Sequence, residues 1–419
     1  MNRFLYSLVF YFSIPFAIFR LLIKDTHDAS WTRKLKNQFG IVEKITGRVI
    51  WTHCVSVGEF NASKPLIEKL MSQYPNHQIV ISTTTITGFN AVNNHYKNNV
   101  KHCFFPFDIP FILESFIRKI NPEICILLET EIWPNLINTL KKKNIPSALI
   151  NARLSDKSFQ RYDKYSAKLV KVSLNSLSLI CAQNSFSSDR LISLGANQDK
   201  MITTGSLKFD SDNIIDDKSI KTLKKIIGER KITVFASTRE GEEKQIIKSY
   251  INSADNINSL LIIIPRHPER FNEVFKLAKV GGLKVERRST ALECSKDTDI
   301  LIGDTMGEMM SYYSVCDLAF IGGSLSDNGC QNMLEAASLS KPIIFGPSVF
   351  NFEEISKKLL MSDAAIQVAN ADELMSTISE LLKSDQRREQ LGVNAKKTFD
   401  QNRGAVNKIL EVITPLIKI

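Results

Sequence analysis

The feature that most restricts the fold of this chain is an alternation kept up over most of its length, short apolar runs separated by amphipathic segments. Val49–Val55, Gln78–Ser82, Ile124–Leu128, Ser147–Ile150 and Ser178–Ala182 have the length and character of buried strands. Ala62–Gln73, Pro110–Ile120 and Trp133–Lys143 carry apolar residues at helical spacing between them. Strands alternating with helices imply a parallel sheet covered on both faces. The rhythm breaks between Phe209 and Lys231, at a polar stretch beginning DSDNIIDDKS. It resumes with Ile232–Ala236, Ser259–Pro265, Lys284–Arg287, Asp299–Gly303, Leu318–Gly322, Pro342–Phe345 and Ala365–Val368, and Ala371–Ile419 is almost all helix in character. The pattern predicts two doubly wound, Rossmann-like α/β domains facing a cleft. Their expected bounds are 25–210 and 231–419, with 211–230 as linker and the terminal helices able to pack back on the first domain. A chain of 419 residues suits two domains of ordinary size.

Residues 1–24 differ in kind. Phe4–Phe19 (FLYSLVFYFSIPFAIF) holds no charge, and Leu21, Leu22 and Ile23 extend the apolar run past Arg20. A bilayer span needs about 20 apolar residues, which this stretch reaches if Arg20 snorkels to the interface. No small-x-small cleavage site precedes the basic segment, which disfavours a signal peptide. Lys24, Arg33, Lys34, Lys36, Lys44 and Arg48 then outnumber Asp25, Asp28 and Glu43. That excess would keep the following domains on the cytoplasmic side. The expectation is an N-terminal membrane helix, spanning or lying in the plane of the cell inner membrane.

In doubly wound sheets, ligands bind outside the carboxyl ends of the strands. Here those positions carry Ser56-Val57-Gly58-Glu59, Glu129-Thr130-Glu131, Ser237-Thr238-Arg239-Glu240-Gly241-Glu242-Glu243, Arg266-His267-Pro268-Glu269-Arg270, Thr305-Met306-Gly307-Glu308 and Gly323-Ser324. Glu59, after a glycine turn, suits a general base or an acid complementing the helix N-terminus. Glu129 and Glu131 flank one threonine, so on an extended segment they share a face, and one of them suits the N-terminus of the Trp133 helix. Arg266 suits bidentate contact with a phosphate or carboxylate. His267 suits a hydrogen-bond donor or a packed imidazole. Gly307 and Glu308 open a helix whose free N–H groups suit a phosphate. Gly323 and Ser324 permit close backbone approach, and Glu335 suits ribose hydroxyls.

The segments WTHCVSVGEF (51–60), ETEIWPN (129–135), NARLSDKS (151–158), GSLKFD (205–210), ASTREGEE (236–243), PRHPERF (265–271), MGEM (306–309), GGS (322–324) and NMLEAA (332–337) occur in an order that resembles the 3-deoxy-D-manno-octulosonic acid (Kdo) transferases. The resemblance runs from residue 51 to about residue 360. It implies a two-domain GT-B fold and an inverting, metal-independent transfer of Kdo from CMP-Kdo to the lipid A precursor. It makes Glu59 the base, Glu129 the transition-state residue and Lys208 its cationic counterpart. It implies nucleotide contacts from Pro265, Arg266, Met306, Gly307, Glu308, Gly323, Ser324, Asn332, Met333, Leu334 and Glu335. Acceptor or sugar contacts are implied at Ser56, Gly58, Glu131 and Arg153. One departure follows GGS: Cys330 stands where the family has a glycine and Gln331 where it has a histidine.

The net charge of +10 fits an anionic partner without choosing among nucleic acid, acidic lipid and phosphorylated substrate. Nucleic acid is disfavoured, since no basic stripe with interleaved aromatics and no reader motif is present. The seven cysteines show no CxxC spacing and sit in apolar runs, as reduced, buried thiols do. No histidine–cysteine cluster suggests a metal. Asp210-Ser211-Asp212 matches a metal-binding Asp-x-Asp by letters only, in the expected linker. Neither a metal nor any other cofactor is expected. Two other readings stand beside the resemblance: a GT-B transferase or epimerase using a UDP-sugar, and a non-catalytic two-lobed binding protein.

Overall fold

The computed structural model describes residues 2–24, 29–210, 215–253 and 257–417. Asp25 and Asp28 of the N-terminal charge balance and residues 211–214 of the expected linker lie outside these, as do the side chains of residues 13, 16–24 and 29. The chain divides into two units, Met1–Ser211 with Arg403–Ile419, and Asp212–Asn402.

The first unit is built on β1 (Arg48–His53), β2 (His77–Thr83), β3 (Lys101–Phe104), β4 (Ile124–Leu128), β5 (Ser147–Ala152), β6 (Leu179–Ala182) and β7 (Met201–Thr203). They form one sheet in the order β3-β2-β1-β4-β5-β6-β7, every pair parallel. Alternation along the strands sends Ile50, Ile79, Ile81, Ile124 and Ile126 to one core and Val49, Trp51, Val80, Cys125 and Leu127 to the other. Each such side chain is worth about 1.5–3 kcal/mol buried. A one-residue slip would exchange the two faces of a strand, so the packing specifies the register. β3 and β7 are edge strands too short for the periodicity to reveal.

The last helix, Ala405–Ile413, packs on the first unit. Val406, Ile409, Leu410 and Ile413 join Leu66 and Leu70 of the helix Val57–Gln73 in one core. Asp210 secures this return, its two carboxylate oxygens accepting the N–H groups of Gly404 and Val406 at 2.6 Å each. The second unit therefore ends at Asn402 and not at 419, the last helix packing back on the first unit as the sequence allowed.

The second unit holds β8 (Ile232–Thr238), β9 (Leu260–Pro265), β10 (Val285–Arg287), β11 (Ile300–Ile302), β12 (Leu318–Ile321), β13 (Ile343–Phe345) and β14 (Ala365–Gln367). They form a parallel sheet in the order β10-β11-β9-β8-β12-β13-β14. The expected linker is, over most of its described part, the helix Asp217–Ile227. Asp216 caps it by accepting Lys218 N–H at 3.1 Å, and Leu223, Ile226 and Ile227 are buried. Its polar composition hid a narrow apolar stripe.

The N-terminal run is a helix, Arg3–Lys24. Among the described residues no helix is long and apolar enough to cross a membrane. Ser7 hydrogen-bonds Asn135 of the helix Pro134–Lys142, and Tyr11 stacks on Phe111 at 6.2 Å between ring centres. Phe4 (78 % exposed), Phe12 (76 %), Leu8 and Val9 remain in contact with solvent. Part of the basic segment is used internally. Arg33 donates to the His102 carbonyl and lies over the Phe89 ring, and Arg48 pairs with Glu123 at 3.5 Å. All seven cysteines are buried and unpaired.

Candidate active site

The strand order of the first sheet reverses between β1 and β4, so the loops after these two strands flank the switch point where ligands bind. Glu59 follows β1, and Glu129 and Glu131 follow β4. Ser56 ends the β1 loop as the N-cap of Val57–Gln73, its hydroxyl accepting Glu59 N–H at 3.4 Å. The Glu59 carboxylate reaches back to Val55 N–H at 2.7 Å and accepts the Ser56 hydroxyl at 3.5 Å. This is a variant of the capping box in which the carboxylate takes the N–H of the residue before the N-cap. Gly58 lies inside the first helical turn, so the glycine turn expected before Glu59 is absent and Ser56 makes the turn.

Glu129 adopts φ 55°, a left-handed conformation rare for a residue with a side chain. The segment is therefore not extended there, and the expected common strand face for Glu129 and Glu131 does not form. The Glu129 N–H bonds the Ile150 carbonyl at 3.0 Å, and the Thr130 hydroxyl donates to the Arg153 carbonyl at 2.6 Å. Neither glutamate serves the following helix. Asp108, fully buried, accepts the N–H groups of Asn135 and Leu136 at 3.1 and 2.7 Å. Glu131 accepts Trp133 Nε1–H at 2.6 Å and lies 3.8 Å from His53 Nε2.

Lys208, on the turn Leu207–Asp210, holds its Nζ 4.0 Å from Glu129. Two buried groups fix that turn. Asn151, at φ 52° on β5, accepts Leu207 N–H through its side chain at 3.0 Å, and Asp210 ties the turn to the C-terminal helix. Glu59, Glu129 and Lys208, far apart in sequence, thus share one end of one sheet. Burial, opposed by the Val55 hydrogen bond and reinforced by the charges of Glu129 and Glu131, pushes the Glu59 carboxyl up to about 8. A carboxyl that ionises near the operating pH suits proton transfer.

In the second sheet the order reverses between β8 and β12. Arg266, exposed just past β9, donates its backbone N–H to the Thr238 carbonyl at 3.0 Å. Its charge reaches Glu335, which also accepts Asn332 Nδ2–H at 3.0 Å. Burial raises the Glu335 carboxyl, and both neighbours oppose that shift. Gly307 takes φ 84° beside exposed Met306, and Pro265 closes β9. Several expected nucleotide contacts have other duties. Met333 and Leu334 are buried in the core. The Ser324 hydroxyl donates to the Ile321 carbonyl and accepts Gly346 N–H at 2.8 Å. Glu308 accepts Arg288 at 2.9 Å, Ser219 at 2.8 Å and the Thr305 hydroxyl. His267 is half-exposed and hydrogen-bonds the Arg239 guanidinium through Nε2, so it is not a packed imidazole. Cys330 is fully buried with its N–H on the Ser348 carbonyl at 2.8 Å, and Gln331 bonds within its own loop at 3.3 Å.

Residues 33–211 match the family model described as 3-deoxy-D-manno-octulosonic-acid transferase, and residues 229–398 that of the glycosyl transferases group 1. The chain is 36% identical to the 3-deoxy-D-manno-octulosonic acid transferase of Haemophilus influenzae over 100% of its own length and 99% of that protein's. The chain belongs to the Kdo transferase family. The Bordetella pertussis relative of that name is 31% identical over 87% of this chain and 86% of its own. A glycosyltransferase structure from Rickettsia africae has a TM-score of 0.59 at 15% identity, covering 89% of this chain and 100% of its own. That likeness shows a shared fold of two parallel-sheet units. The enzyme is a glycosyltransferase, and its reaction is Kdo transfer.

Sequence reasoning passed over Asp108, His53 and Asn151 as parts of the site's framework. His53 and Asn151 stand inside WTHCVSVGEF and NARLSDKS, where their motif neighbours drew the attention. Asp108 acts across 27 residues on Asn135, a distance no local pattern reports.

Proposed function

We propose that this transferase moves Kdo from CMP-Kdo to the lipid A precursor (lipid IVA) in lipopolysaccharide biosynthesis, with inversion at the sugar's anomeric carbon. The observation that carries the reading is the Glu59, Glu129 and Lys208 constellation at the first sheet's switch point. The acceptor hydroxyl oxygen bonds the anomeric carbon as the bond from that carbon to the CMP phosphate oxygen breaks. The electron pair leaves with CMP, and the hydroxyl proton passes to Glu59. Glu129 stabilises the transition state and Lys208, its cationic counterpart, offsets the negative charge that builds on the leaving phosphate, a role in which one preorganised group is worth about 10²–10³ in rate. Ser56, Gly58, Glu131 and Arg153 stand beside these residues on the acceptor side. In the second unit Arg266, the Met306–Glu308 turn and Glu335 hold the nucleotide.

The helix Arg3–Lys24 is read as lying in the plane of the inner membrane at its cytoplasmic face. Its exposed Phe4, Leu8, Val9 and Phe12 support this, as such faces bury into the interface. Mass spectrometry of lipid A precursor incubated with CMP-Kdo and the purified enzyme tests the function. Precursor carrying added Kdo is expected. Unmodified precursor, with a UDP-sugar consumed in a parallel reaction, would overturn it.

A further inference from the structure

Successive N–H groups around a left-handed glycine form a concavity that binds anions. The turn after β12 has that form, with Gly323 at φ 76°. Gly322 and Gly323 are required by space: a Cβ at Gly322 would meet Thr238 Cα at 2.6 Å, and one at Gly323 would meet the Gly329 carbonyl oxygen at 2.4 Å. In a glycine-rich loop of a nucleotide-binding unit, the free N–H groups of such a turn would be the natural place for a phosphate. Here they are already occupied. Glu242, fully buried at the start of the helix Glu242–Ser253, accepts Gly323 N–H at 2.8 Å on one oxygen and Leu325 N–H at 2.9 Å on the other. The first oxygen also accepts Arg239 N–H at 3.0 Å. One carboxylate therefore joins the loops after β8 and β12, the pair that flanks this sheet's switch point.

We infer that Glu242 is a resident anion and a positioning residue: it fills the glycine turn in place of a substrate phosphate and fixes Arg239 to meet that phosphate instead. The Arg239 guanidinium is held by His267 Nε2 and by Asn328 Oδ1 at 3.4 Å, next to the loop that carries Arg266. Its planar fork suits a phosphate. A glutamine at 242 keeps the shape but offers an NH₂ group to an N–H donor. At least one of the three bonds then becomes a clash of two donors, and the β8 and β12 loops lose their common fastening.

The inference rests on CMP-Kdo being the donor, so binding of CMP to the unaltered enzyme is measured first, and its absence would count against that reading alone. Glu242→Gln, Arg239→Ala and the double variant are then compared by steady-state kinetics and by calorimetry with CMP. Each single variant should raise the donor KM about tenfold or more, with kcat changed by less than about threefold and the acceptor KM unchanged. The double variant should be no weaker than the worse single one, because contacting or positioning groups that act as a unit are non-additive. If Glu242→Gln does not fold, Arg239→Ala still decides the matter. A donor KM within twofold of normal for either variant overturns the inference, as does a double variant whose losses multiply.

Discussion

Glu242 in the second unit and Glu59 in the first are held in opposite ways, while Asp108 and Asp210 of the first unit are held as Glu242 is. In the second unit Glu242 receives three backbone N–H groups, Glu308 receives Arg288, Ser219 and Thr305, and Glu243 receives Arg270 at 3.1 Å. In the first, Glu59 receives one backbone N–H at 2.7 Å and a hydroxyl at 3.5 Å while sharing its surroundings with the charges of Glu129 and Glu131. Burial raises the Glu242 and Glu243 carboxyls too, but the three N–H donors on Glu242 and the Arg270 charge beside Glu243 oppose that shift and commit both groups to holding loops. The under-satisfied Glu59 keeps a proton affinity near neutrality. The contrast separates scaffolding from chemistry without reference to motif.

The largest expected effect is at Glu59. Glu59→Gln keeps the capping geometry, since an amide oxygen still accepts Val55 N–H, and removes the base. A fall in kcat of about 10²-fold or more is expected, with CMP affinity unchanged by calorimetry. The pH profile sharpens the point. Transfer needs the ionised form, so kcat/KM of the normal enzyme should climb about tenfold per pH unit and level off above about 8, where burial places the Glu59 carboxyl. The residual rate of the variant should lack that rise. A variant retaining more than a tenth of the rate would break the comparison at its strongest point.

Lys208→Ala should lower kcat by about 10²-fold, the size of one lost electrostatic stabiliser, with little change in donor KM. Lys208→Arg should recover only part of this, because a planar fork does not reproduce a point charge 4.0 Å from Glu129. An equal loss in CMP affinity would move Lys208 to the nucleotide site. In the second unit, Arg266→Ala should weaken CMP binding by about 1.5–3 kcal/mol, the range for hydrogen bonds to charged groups, and leave the pH profile in place. Unchanged affinity in calorimetry would show that Arg266 does not meet the nucleotide.

What was legible in the sequence follows the same division. The strands that carry both sheets' centres, such as Ile124–Leu128 and Leu260–Pro265, announce themselves because both faces are buried and the run is continuously apolar. Glu59, Glu129 and Lys208 were legible as motif positions. The framework groups of the two units were not, because Asp108 and Asn151 in the first and Glu242 in the second act by side chain on backbone groups distant in the chain, and a sequence shows no such pairings. Composition misled at the acidic run before Lys218, which hid the helix Asp217–Ile227. Met333 and Leu334, which the resemblance names as nucleotide contacts, have buried side chains.

The smallest predicted effect tests the comparison through stability. The folded Glu59 carboxyl ionises near 8, well above the ordinary range near 4.3 that it recovers when unfolded. Below that lower value both states are protonated, and the full stability is present. As the pH rises toward 8 the unfolded chain releases its proton while the folded one retains it, so stability falls, and the loss is complete above about 8. Glutamine does not titrate. Glu59→Gln should therefore melt with the normal enzyme near pH 4 and about 2–4 °C above it at pH 8.5, the shift expected for about 1 kcal/mol in a unit of this size. The figure is modest because the Glu59 residue is only partly buried, and water screens part of the cost. Glu242→Gln should shift melting the opposite way, downward, since it removes acceptors from buried N–H donors. Thermal melts of both variants across that pH range provide the measurement. A Glu59→Gln protein that melts lower than normal at pH 8.5 would mean that its carboxylate is as well satisfied as that of Glu242, and the distinction between the two glutamates would fail.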